Sequence, residues 1–118
     1  MRPRRKTVID SDLFVSHHCD KAMLGDFLGC NRDTIRRWEN LAFWRVPQFR
    51  DSYPKAATGE RDRTHPLNEY QCWVISRIAR LMSHLKRSER VKTYIAQHPQ
   101  EFSRYTYQKS LKALQQTA

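Results

Sequence analysis

The stretch from Leu24 to Glu39 has the spacing of two short helices joined at a glycine, and arginines crowd the second of them. Leu24 and Leu28 fall about one turn apart, as do Ile35 and Trp38, so each helix has an apolar face to turn towards the other. Gly25 has no Cβ and lets the second helix approach closely, while Gly29 can take the left-handed conformation that ends the first. Asn31 is placed as the N-cap of the second helix, and Asp33 in its first turn complements the dipole. This is the frame of a helix-turn-helix, which seats its second helix in the major groove of duplex DNA. A plain αα corner shares the frame, but the glycines, the cap and the arginines together favour DNA reading.

With Ile35 and Trp38 facing inward, Arg32, Asp33, Arg36 and Arg37 face outward. An arginine can pair with guanine O6 and N7 through two hydrogen bonds, worth roughly 1–3 kcal/mol of discrimination. More than half of protein–DNA hydrogen bonds go to the backbone instead. Arg32 and Arg36 are therefore expected at bases, and Arg37 and Thr34 at phosphates. Asp33 could accept from cytosine N4, but its place in the first turn favours a helix-dipole role. The register of Trp38 with Ile35 makes it a core residue rather than a base-stacking one.

Composition agrees with a polyanionic partner. The 118 residues carry 22 Lys and Arg against 12 Asp and Glu, a net charge of +10. No run is long and apolar enough for a membrane span, and the N-terminal arginines are not followed by the apolar run of a signal peptide. Cys19, Cys30 and Cys72 are odd in number and unpatterned, which points to a reducing cytoplasm, here at the nucleoid, rather than to a disulfide framework.

Along the chain, 1–19 reads as a basic arm and lead-in, 20–66 as the helix pair plus a wing, and 67–118 as a helical dimerisation part. Met1 to about Ile9 holds Arg2-Pro3-Arg4-Arg5-Lys6, a density of like charge that builds no core and can follow phosphates or enter a minor groove. Leu13-Phe14-Val15 fits either a short strand or a lead-in helix. Asp20 caps the first helix of the pair, which runs to about Leu28, and the second is expected from Arg32 to about Leu41. Ala42-Phe43-Trp44-Arg45-Val46 is aromatic and β-branched, which predicts a chain leaving the helix for a strand. Pro47 to Pro66 is polar and turn-rich, carries Arg45, Arg50, Lys55, Arg61, Arg63 and His65 in or beside it, and is read as a β-hairpin wing. Asn68 and Gln71 then form a capping box, with Leu67 and Cys72 as a staple, for a helix to about Lys86. Ser88 is placed to cap a further helix that Pro99 stops, and a last helix spans about Ser103 to Gln115 with Tyr107, Leu111 and Leu114 inward. The fold class expected is mainly α, a winged helix-turn-helix with a C-terminal helical part.

The pattern Leu24-Gly25-x-Phe27-Leu28-Gly29-x-x-Arg32-x-Thr34-Ile35-Arg36-x-Trp38-Glu39 resembles the DNA-binding end of MerR-type transcription regulators. Arg61-Asp62-Arg63-Thr64-His65 stands where that family has its Arg-x-Tyr wing exit, with His65 in the aromatic place. The resemblance covers about Asp20 to Leu85, and excisionases share its motifs. It implies a winged helix-turn-helix, a homodimer on an inverted repeat, and phosphate contacts from the wing. The family's long coiled-coil helix is missing here, since Lys86-Arg87-Ser88 interrupts it and two shorter helices follow. That departure favours repression by occlusion over promoter-twisting activation. In size and layout the chain is also similar to the compact MerR-type repressors that accompany cyanobacterial CRISPR-associated transposons.

Other chemistry is poorly supported. His17, His18 and Cys19 are adjacent and point in different directions, and no Cys-x-x-Cys or His-x-x-x-His spacing occurs. No nucleophile with an organised base, carboxylate pair or phosphate-cradling glycine loop is legible, so neither an enzyme nor a cofactor is expected, and no small-molecule effector is evident. Two alternatives share the basic charge. An excisionase-like factor would bend DNA at tandem sites. An RNA-binding or protein-interaction module would need a stacking platform, and the aromatic residues fall mostly on inward faces.

Overall fold

Gly25 sets the geometry on which the helix pair depends. A Cβ built there would lie 2.6 Å from the backbone oxygen of Cys30, so only glycine lets the turn fold back over the first helix. In the computed structural model, which describes residues 12–117, that helix is α1 (Lys21–Leu28). The basic arm read between Met1 and Ile9 lies outside the described residues. Asp20 caps α1 by accepting from the Met23 N–H at 2.8 Å, and Gly29 ends it in the left-handed region at φ 74°. The N–H groups of both Gly29 and Cys30 donate to the Gly25 carbonyl.

Asn31 opens α2 (Arg32–Arg45), its Oδ1 accepting from the Thr34 N–H at 2.8 Å and from the Thr34 hydroxyl at 2.9 Å. The helix runs past the end expected at Leu41. The strand expected over Ala42–Val46 is instead helical through Arg45, because Ala42, Phe43 and Val46 continue the inward register of Trp38 and Glu39. Burial on a helical face overrides the β preference of the residue types. Pro47 then begins the short α3 (Pro47–Asp51), which buries Phe49.

The expected β-hairpin wing does not form as strands, and no strand occurs among the described residues. Residues 52–66 make a loop closed by one antiparallel bridge between Lys55 and Arg61. Its turn is held by Ala56 N–H to Glu60 O at 2.7 Å and Gly59 N–H to Ala56 O at 2.9 Å, with Gly59 at φ 92°. A second bridge pairs Cys19 with Leu67.

The central helix is α4 (Glu69–Leu85), opened by the full capping box: Gln71 N–H to Asn68 Oδ1 at 2.8 Å and Asn68 N–H to Gln71 Oε1 at 2.9 Å. Leu67 and Cys72 are buried as the expected staple. Trp73, Val74, Ile75, Ile78 and Ala79 fill the core, and Lys86 ends the helix at φ 69°. Then come α5 (Ser88–Gln97), a 3₁₀ turn (Pro99–Phe102) and α6 (Arg104–Thr117). Ser88 is not the cap expected of it: Arg87 holds that position without a side-chain bond, and Ser88 is the first helical residue. On α6, Tyr107 is buried and Leu111 half-buried, but Leu114, expected inward, is 48% exposed because α6 has run past the packed core.

Leu13-Phe14-Val15 is neither strand nor helix. It lies against the C-terminal helices through Leu13 N–H to Ser76 Oγ at 3.1 Å, the Phe14–Tyr107 ring stack at 6.1 Å, and Asp12 paired with Arg77 and Arg80 at 2.9 and 3.1 Å. One hydrophobic cluster runs from Cys19 to Tyr107, so α4, α5 and α6 share their core with the helix pair. Among the described residues, no helix is long and apolar enough to cross a membrane.

Candidate nucleic-acid interface

The α2 helix has two faces with different duties. Ile35, Trp38, Glu39, Ala42 and Phe43 are buried, whereas Arg32, Asp33, Arg36, Arg37 and Asn40 are exposed. The outward set is the one expected from the sequence, with Asn40 added. Asn40 lies four residues after Arg36 and three after Arg37, and helical spacing alone could have found it. Trp44 continues the row and is 64% exposed, its ring packing edge-on against Phe43 at 5.1 Å.

Thr34 is occupied by the cap: its hydroxyl donates to Asn31 and accepts from Arg37 Nη2 at 3.3 Å. Arg37 is thereby held over the first turn of α2. Arg32, Arg36, Arg37, Arg45, Arg50 and Lys55 form no ion pair among the described residues. No carboxylate stands within ion-pair distance of them, which leaves their charge available to a polyanion.

Arg61 and Arg63, expected at phosphates, are engaged within the protein. Arg61 donates to the Tyr53 carbonyl at 3.0 Å and pairs with Asp51 at 3.2 Å, tying the loop to α3. Arg63 lies 3.7 Å from Glu39, 3.4 Å from Asn40 Oδ1, and stacks 4.2 Å over the Phe43 ring. Glu39 is only 2% exposed; it also faces Lys21 at 3.5 Å and accepts a short hydrogen bond from the Tyr53 hydroxyl. Burial, and then the neighbouring Glu39 carboxylate, hold the Tyr53 phenol well above its ordinary value. The buried carboxylate thus joins α1, α2 and both ends of the loop behind the exposed arginines.

Two concavities divide the predicted residues. Arg36, Arg37 and Arg63 meet in a groove of about 540 Å³ with Ser88 and Lys92 of α5. Arg32 lies apart, in a cleft of about 230 Å³ with Asp20, Lys21 and His65. Arg45, Arg50 and Lys55 line neither. Ser88 is read from the sequence only as a cap and Lys92 not at all, since only the packing of α5 against α2 brings them to the arginines.

No family model, curated protein or solved structure matches this chain. The functional reading therefore rests on residues and geometry. Among the described residues, no three His, Cys, Asp or Glu side chains gather as a metal site needs. Burial raises the thiols of Cys19, Cys30 and Cys72, which suppresses the nucleophilic thiolate.

Proposed function

We propose that this chain is a sequence-specific regulator of transcription that binds duplex DNA, a compact MerR-like repressor acting as a homodimer on an inverted repeat in the cytoplasm. One observation carries the reading: α2 presents Arg32, Arg36 and Arg37 outward without ion pairs, on a helix whose opposite face is locked into the core. A core-locked helix whose outward guanidinium groups form no ion pair suits major-groove readout, because the helix is in place before DNA arrives. Arg32 and Arg36 read bases, Arg37 holds phosphate, and the loop with Lys55 at its bridge takes the flanking place of a wing. Asp33 serves the helix dipole. Exposed Tyr105 and Leu114 on α6 offer apolar surface for the homodimer contact.

Selection of bound duplexes from a random pool tests the reading. An inverted repeat enriched by wild-type protein supports it. Equal binding of all duplexes, or equal binding of duplex RNA, sinks it. Strong bending at tandem repeats, read from circularly permuted fragments, would instead favour an excisionase-like factor.

A further inference from the structure

We propose that the groove between α2 and α5 is a phosphate-binding site. Its occupant is either a backbone phosphate of duplex DNA or a free phosphorylated compound. Only the duplex case rests on the function proposed above; the phosphate site stands without it.

Four cationic side chains from three elements converge there: Arg36 and Arg37 from α2, Arg63 from the loop and Lys92 from α5. No carboxylate lines the groove. Arg36, Arg37 and Lys92 form no ion pair among the described residues, although Asp33 and Glu89 stand one turn away along α2 and α5, so an anion bound in the groove relieves their mutual repulsion. Arg63 is fixed in place by Glu39, Asn40 and the Phe43 ring, which makes it a preorganised cation rather than a searching one. Because Asn40 Oδ1 accepts from Arg63, the amide nitrogen of Asn40 is left to donate to a ligand.

Ser88 adds donors of a second kind. It opens the ten-residue α5, and Arg87 supplies no side-chain cap, so the first-turn N–H groups keep their capacity for an anion. Guanidinium forks, an ammonium group and backbone N–H groups together match the three-acceptor geometry of a phosphate. Leu41 closes the floor with an apolar surface. The volume lies within the range of small-ligand sites.

The test uses two probes, inorganic tripolyphosphate by calorimetry at low salt and a selected duplex by anisotropy across a salt series. Lys92→Gln removes a charge inside the groove. Lys109→Gln removes the same charge from the exposed face of α6. Wild-type protein is expected to bind tripolyphosphate at a single saturable site, weakened at least about fivefold by Lys92→Gln. Lys109→Gln is expected to change that affinity by less than about twofold. Arg37→Gln, on the exposed side of α2, must reproduce the loss, which guards against a folding defect at Lys92.

With the duplex, a salt slope shallower by about 0.9 in Lys92→Gln assigns the site to a backbone phosphate. An unchanged slope together with lost tripolyphosphate binding assigns it to a free compound. If wild-type protein binds no duplex, the DNA reading fails while the tripolyphosphate result still judges the site. The proposal is overturned if Lys92→Gln behaves like Lys109→Gln towards both probes, or if tripolyphosphate binds without saturation.

Discussion

Arg63 Nη2 lies 3.7 Å from Oε1 of the buried Glu39, which makes a loop arginine the partner of a carboxylate on the inner face of α2. Removing Glu39 leaves Lys21, Tyr53 and Arg63 without their shared acceptor. Glu39→Ala is therefore expected to cost about 3 kcal/mol, read from urea midpoints. Arg63→Ala should cost about 1–2 kcal/mol, less because its guanidinium is partly solvated. Wild-type stability in Arg63→Ala would show that its contacts with Glu39 and Phe43 add nothing to the fold.

Arg36 is exposed and unpaired, so its removal leaves the fold intact. Arg36→Ala should lower discrimination at one base position by about 1–3 kcal/mol while the melting curve stays put. Unaltered operator preference in a repeated duplex selection would remove Arg36 from base reading.

Gly25→Ala places a methyl group 2.6 Å from a backbone oxygen, which no side-chain movement can relieve. A loss of about 2–4 kcal/mol is expected, with weakened DNA binding as the turn before α2 shifts. A full-stability Gly25→Ala protein would mean that the turn can yield.

Lys86 ends α4 in the left-handed region at φ 69°, a conformation disfavoured for any residue with a Cβ. Lys86→Gly should stabilise the protein by about 0.5–1 kcal/mol, the strain relieved exceeding the entropy added to the unfolded chain. Thermal melts of the pair decide it.

Alkaline pH should unfold the protein for a definite reason. Burial raises the phenols of Tyr53 and Tyr70 above their ordinary value of 10.0, so both stay neutral in the folded state while the unfolded chain ionises them. Their contribution is intact below about pH 10 and is lost as pH rises beyond it, at up to about 1.4 kcal/mol per pH unit for each group. Urea midpoints at pH 7, 9 and 11 test this. Tyr70→Phe should flatten the fall.

Local chemistry was legible in the sequence, and long-range pairing was not. Asp20, Asn31, and Asn68 with Gln71 act within three residues of themselves, so their caps could be read from spacing. The outward arginines of α2 were legible for the same reason. Ala42 to Val46 misled because residue type and periodicity disagree there, and periodicity won: positions 38, 39, 42, 43 and 46 all face the core. Arg61 and Arg63 looked like free cations because Asp51 and Glu39 lie on other elements. Lys92 gave no signal, since its meaning depends on where α5 packs.

The bridge between Cys19 and Leu67 has a consequence for how the chain can vary. Its paired hydrogen bonds, 2.9 and 2.8 Å, join the residue before the N-cap of α1 to the residue before the N-cap of α4. Everything from Asp20 to Pro66 is therefore a closed loop of chain whose two ends meet at one seam. Residues added at its exposed tip, beside Thr58 and Gly59, lengthen the loop without moving either end. The tip can drift in length while α2 and α4 keep their register.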